Sequence, residues 1–221
     1  MKRGVGDLDD KTIALPDDLR RCIEFHGHLC PGLVYGYLVA REAVRLLALV
    51  RSEDEEVVAF PENDSCAVDA LQVMLGTTAG KGNLIFRDYG KNAYTVLKRK
   101  ARRAFRFSRK TEYDYSGEDR AEFELLRKKI AAKTATSEEN ARYRQMKVHD
   151  LLSKDFSAVF ATEEIPPPEQ PYAPLAPSAA CARCGEMTMA TRLVEAGSQV
   201  FYCLPCAGKK DAPSVPLATD N

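Results

Sequence analysis

FHGHLCPGLVYGYLVAREAVRLLALV, residues 25–50, carries both a candidate site and the helix that orders the fold around it. Pro31 suits the first position of a helix, where its missing N–H costs nothing, and the apolar run behind it is long enough for several turns. The sequence therefore predicts a helix opening at Pro31 with Cys30 at its N-terminus. Backbone N–H groups and the helix dipole favour an anion there, so Cys30 is expected to ionise more readily than an average cysteine. His26, His28 and Cys30 alternate in sequence, and an extended segment would send all three side chains to one side. Imidazole and thiolate are donors that transition metals take. Two of the chain's three histidines beside a cysteine thus mark a candidate ligand set.

A second segment repeats the design. Val57–Phe60 reads as a strand, Pro61–Asn63 as its exit, Asp64 or Ser65 as an N-cap, and residues 66–75 as a helix that stops at Gly76. Cys66 then falls in the first turn, and Asp69 and Gln72 can share its face. The expected core site has His26, His28, Cys30 and Cys66 as metal ligands. Cys30, Cys66, Asp69 and Lys81 are its candidate catalytic groups. Lys81 lies in the loop TTAGKGN, residues 77–83, which permits a backbone anion site but lacks the spacing of a nucleotide P-loop.

Near the C-terminus, Cys181-x2-Cys184 and Cys203-x2-Cys206 stand 18 residues apart, a spacing that suits four thiolates around one zinc ion. The residues between them read as two strands joined at Ala196-Gly197-Ser198, which makes a zinc ribbon or treble-clef-like unit. An odd number of cysteines in a chain of 221 residues argues against a disulfide framework. So small a module cannot bury enough apolar surface alone, so a structural zinc should supply much of its folding energy.

The expected organisation is an α+β core over residues 1–164 and a proline-rich linker over 165–180. The four-cysteine domain follows over 181–208, and a disordered tail over 209–221. Six prolines between Pro166 and Pro177 make the linker a semi-rigid spacer. The 32 basic residues cancel the 32 acidic ones, so no global field favours nucleic acid or a membrane. MKRGVGDLDDK at the start has no apolar signal core, and arginines interrupt the longest apolar stretch, so the expected location is the cytoplasm, with no membrane partner.

FHGHLCPG (25–32), ENDSCAVDALQVMLGTTAGKGNL (62–84) and CARCGEMTMATRLVEAGSQVFYCLPC (181–206), in that order, resemble the E-subunit family of formylmethanofuran dehydrogenase. The resemblance runs over about residues 19–206 and is weakest from 99 to 147. It implies a homodimer whose small domain reaches the partner, and an accessory place beside an enzyme that reduces carbon dioxide on a molybdenum or tungsten pterin. Members often have a cysteine where this chain has Thr77, so a third core thiol is absent.

The remaining segments are read from periodicity. Leu84–Phe86 and Ala93–Leu97 are expected strands, and residues 98–110, with eight basic side chains and no acidic one, an edge strand with a wet face. Helices are expected over 118–133 and from a capping box at Thr136 and Glu139 to about Leu152, followed by a strand over 156–165. His149 reads as a boundary histidine outside the site. The functional expectation is a metal-binding accessory or metal-handling protein of redox one-carbon metabolism, with zinc in the ribbon and a second transition metal in the core. The alternatives are a free-standing metal- or thiolate-dependent enzyme on a small substrate, and a zinc module that binds nucleic acid or protein through the ribbon and the basic strand.

Overall fold

The segment DDLRRCIEFH folds as helix α1, Asp17–His26, in the computed structural model, which describes residues 15–197 and 199–208. This helix went unread in the sequence, although its signals are present. Asp17 and Asp18 complement the dipole in the first turn, Leu19 and Cys22 are buried, and Gly27 ends the helix at φ 91°. His26 is therefore a helix end and not part of an extended run. The expected disordered tail lies outside the described residues, as does Ser198 in the expected ribbon turn.

Helix α2, Pro31–Leu47, opens as predicted with Pro31 at its first position and Cys30 as N-cap, whose sulfur accepts the Leu33 N–H at 3.4 Å. Residues Leu33–Ala40 are all buried, so this helix is the axis of the core. After it come β1, Val57–Pro61, and α3, Ala67–Leu75, closed by Gly76 at φ 71°. Asp64 and Ser65 do not cap α3. Cys66 takes the N-cap position, and no side chain there bonds to the helix.

Helices α2 and α3 cross at Gly36. A Cβ at that position would stand 2.0 Å from the Ala67 carbonyl oxygen, so only glycine lets the two backbones touch. That contact brings the N-termini of α2 and α3, and with them Cys30 and Cys66, to one place.

Strands β2, Ala93–Lys98, β3, Arg103–Arg109, and, after helices α4, Arg120–Ala131, α5, Ser137–Ser153, and the short α6, Phe156–Val159, β4, Phe160–Ile165, complete an antiparallel sheet in the order β1-β2-β3-β4. Val57, Ala59, Tyr94, Val96, Phe105, Phe107 and Phe160 face the helices, while Val58, Phe60, Leu97 and Ala104 form a smaller cluster on the other face. The fold is α+β. Three details differ from the periodic reading. Leu84–Phe86 makes a single parallel bridge to Ala59 in place of a strand, and residues 156–159 are a helical turn. The basic strand is interior, paired to β2 on one side and β4 on the other. The capping box of α5 forms, with Glu139 donating its backbone N–H to Thr136 Oγ1 and accepting the Thr136 N–H.

The chain divides into two compact units, one ending at Tyr172 and one beginning at Ala173, so the boundary falls inside the proline-rich stretch. The first half of that stretch is fastened to the core. Arg99 donates to the carbonyls of Gln170 and Pro171 and lies 4.2 Å from the Tyr172 ring.

The second unit holds β5, Ser178–Ala180, paired with β6, Met187–Met189, and then a 3-10 turn, Ala190–Arg192. Strands β7, Leu193–Glu195, and β8, Phe201–Cys203, follow as a hairpin, and α7, Leu204–Ala207, closes it. The expected pair of strands is thus a hairpin of β7 and β8 only, because β6 pairs backwards with β5. Among the described residues the buried cluster of this unit is Cys181, Cys203 and Cys206, with Tyr202 against it, while Met187 and Leu204 are exposed. Among the described residues it shows no apolar core beyond this cluster.

Candidate metal centres

Gly27 turns the chain back after α1, and this reversal places His26, His28 and Cys30 around one point, with donor atoms all within 4.8 Å of one another. His26 Nε2 lies 3.7 Å from Cys30 Sγ, and the two imidazole centroids are 4.6 Å apart. A tetrahedral ion with bonds of about 2.0–2.3 Å sets its donors roughly 3.3–3.8 Å apart, so this pair already has a ligand spacing. On the other edge of the same ring, His26 Nδ1 meets Asp69 Oδ2 at 2.7 Å, and Gln72 Nε2 donates to Asp69 Oδ1 at 3.1 Å. A carboxylate on one imidazole nitrogen fixes the tautomer that leaves the other nitrogen as a lone-pair donor. The residues present therefore suit a borderline cation such as zinc, nickel or iron.

The helix dipole does not prevail at Cys30. Burial pushes its thiol up to about 11, against the lowering by the Leu33 N–H, and the neighbouring Cys66 adds to the rise. The expectation of a readily formed thiolate is corrected accordingly: an incoming cation must displace a proton. His28, more exposed, is pushed below the ordinary imidazole range by desolvation first and then by the charges of His26 and Arg144. It is a neutral donor near pH 7.

Cys66 stands beside these three donors without joining the set that shares the 4.8 Å limit. A Cβ on Gly32 would lie 3.5 Å from Cys66 Sγ and 3.8 Å from Cys30 Sγ, so the two sulfurs flank the glycine. Lys81 is placed elsewhere: its ammonium donates to the carbonyls of Ser52 at 3.0 Å and Glu53 at 3.2 Å. Thr77 is fully buried and donates to the Leu71 carbonyl at 3.4 Å, a purely internal bond. The basic residues of the sheet are likewise committed, Arg103 to Glu164, Arg106 to Glu62, and Lys98 to the carbonyls of Leu47 and Ala48. Sequence reasoning missed Arg144, Gly32 and Gly36, since their neighbours come from distant segments.

In the second unit the four cysteines converge, all donor atoms within 4.8 Å. Cys184 Sγ and Cys203 Sγ are 3.9 Å apart, close to the separation of roughly 3.8 Å around a zinc ion with 2.3 Å bonds. The Cys203 N–H donates to Cys181 Sγ at 3.3 Å and leads in lowering that thiol to about 6. Neighbouring sulfurs leave Cys206 up at about 12.

A sequence profile described as "FmdE, Molybdenum formylmethanofuran dehydrogenase operon" matches residues 25–161. A "Probable S-adenosyl-L-methionine-binding protein" of Archaeoglobus fulgidus is 31% identical over 200 residues, covering 86% of this chain and 52% of the relative. The chain thus spans about half the length of that curated relative. Among solved structures, an FmdE-like protein from Syntrophus aciditrophicus, named for the tungsten formylmethanofuran dehydrogenase, superposes with a TM-score of 0.55 at 18% identity. The match covers 87% of this chain and 91% of that one, and it speaks for the fold.

Proposed function

Because the chain belongs to the FmdE family, we propose that it is a metal-handling accessory component of one-carbon redox metabolism, with a transition metal in the core and zinc in the ribbon. The observation that carries this reading is the arrangement around His26, with Cys30 Sγ 3.7 Å from one ring nitrogen and Asp69 2.7 Å from the other. His26, His28 and Cys30 hold the core ion, and Asp69, steadied by Gln72, orients His26. Three protein donors would leave room for an exogenous group, and an ion held there would supply Lewis acidity. Burial of Cys30 and its Leu33 N–H bond hold the sulfur in place.

A place beside a formylmethanofuran dehydrogenase goes with this reading, supported by the profile's reference to that operon, and a cytoplasmic homodimer is part of the same proposal. Among the described residues no helix is long and apolar enough to cross a membrane. Metal analysis of the purified full chain tests the two sites together. Two ions per chain are expected, one lost on His28→Ala and the other on Cys184→Ser; full retention in either variant would overturn the corresponding site.

A second reading, an enzyme in which Cys66 attacks a small carbonyl substrate, is favoured by the half-buried position of Cys66 beside the three donors. Alkylation separates the two. Rapid modification of Cys66 in metal-loaded protein, with loss of turnover, would favour the nucleophile, whereas modification that leaves the ion and its occupancy untouched and no activity to lose would leave the metal-handling reading.

A further inference from the structure

The end of α1, the segment after α2 and the end of α3 line an open cleft of about 570 Å³. Its volume is that of a small-molecule site, within about 300–1,000 Å³. Arg21 and Arg51 both line it, with Glu24 as the one acidic residue of its wall, so the cleft carries net positive charge. Elsewhere Arg99, Arg103, Arg106 and Arg142 each face a carboxylate. Neither Arg21 nor Arg51 pairs with one among the described residues, and the sole hydrogen bond of the Arg51 side chain there runs from Nε to the Val73 carbonyl at 3.0 Å, which leaves its terminal nitrogens to donate outward. Thr78 Oγ1 accepts the Lys81 N–H at 3.2 Å and keeps its own proton for an acceptor in the cleft. The Phe25 ring, 59% exposed, stands on the same wall and offers a flat apolar face.

We propose that this cleft binds a small ligand with an anionic head, phosphate or carboxylate, on a planar ring: Arg21, Arg51 and Thr78 take the head and Phe25 stacks on the ring. Two guanidiniums converging on one head give charge-assisted, paired hydrogen bonds that a single surface charge does not. The ligand does not sit on the metal centre, because His26, His28 and Cys30 are not among the residues that line the cleft. Gln72 lines the cleft and holds Asp69, so an occupant touches the relay of groups that orients His26. The binding site stands apart from the metal reading of the core; only this last link rests on it.

Calorimetric titration of the full chain with phenylphosphate, with metal content measured alongside, tests the site. Arg21→Gln and Arg51→Gln are each expected to weaken binding about tenfold, the size of one charge-assisted hydrogen bond, with metal content unchanged. Phe25→Leu should weaken phenylphosphate roughly threefold and leave inorganic phosphate as it was, since only the former has a ring to stack. His28→Ala should lose the core ion and still bind phenylphosphate. The proposal is overturned if the wild type fails to bind, if the Arg21→Gln/Arg51→Gln double variant binds like the wild type, or if binding disappears with the ion in His28→Ala and ignores the arginines. A wild type without core metal but with arginine-dependent binding would keep the cleft and refute the metal site instead.

Discussion

The two ligand clusters are built in opposite ways. In the second unit four cysteines from one short stretch face each other, and three of them, Cys181, Cys203 and Cys206, form the buried cluster, so metal binding and folding should be one event. In the first unit the His/Cys cluster lies at the edge of an apolar core that exists without it, formed where α1 ends and α2 begins, with α3 delivering Cys66 and Asp69. A site that makes its own core should unfold when a ligand is lost, whereas a site mounted on a core should lose only its metal.

The largest expected effect therefore falls on the ribbon. Cys184→Ser removes one of four thiolates and should unfold residues beyond Ala173, since metal binding worth about 10 kcal/mol or more holds such modules together. Limited proteolysis with zinc analysis checks this; a protease-resistant ribbon in the variant would erase the contrast. Next is Gly36→Ala, which puts a methyl group 2.0 Å from the Ala67 carbonyl. Separating α2 from α3 should cost about 3 kcal/mol in a denaturant melt, despite the better helix propensity of alanine, and weaken metal binding in the core while sparing the ribbon.

Smaller again is Asp69→Asn. It keeps the shape but loses the charge that orients His26, and core metal affinity should fall about 10- to 100-fold in competition with a chelator, with the melt nearly unchanged. An unchanged affinity would mean that Asp69 serves packing alone.

The smallest effect is one of slope. Near neutral pH the Cys30 thiol, up at about 11, carries a proton that metal binding must release, so core affinity should rise about tenfold per pH unit. Here the raised value favours the protonated, metal-free site at low pH, and affinity grows as pH rises. In the ribbon, Cys181 at about 6 is already ionised near pH 7, while Cys184, raised, and Cys206, at about 12, both hold protons. Its zinc affinity should therefore rise more steeply than that of the core. Metal titrations of Cys184→Ser and His28→Ala over about pH 6.5–8 compare the two slopes, and equal slopes would contradict these proton states.

Local signals were legible where one short segment decides the outcome. Pro31 opens α2, Gly76 closes α3, Thr136 and Glu139 cap α5, and the paired Cys-x2-Cys spacings bring four sulfurs together. Helix α1 was not legible in the same way, because the alternation of His26, His28 and Cys30 suggests an extended run, although the acidic first turn and Gly27 mark a helix. The basic stretch misleads for another reason: charge pattern along a strand says nothing of its neighbours. Glu62 and Glu164, from segments far apart in sequence, neutralise Arg106 and Arg103 in an interior strand.

The sequence by itself determined the kinds of ligand, the helix starts that carry Cys30 and Cys66, and the whole of the four-cysteine set, because each rests on spacing within a few turns of chain. Tertiary structure alone decided that Gly36 lets α2 and α3 touch, that Asp69 reaches the outer nitrogen of His26, that burial outweighs the helix dipole at Cys30, and that Arg21 and Arg51 share a cleft. Those outcomes depend on distances between segments and on exclusion of water, and neither is encoded by the order of residues within any one of them.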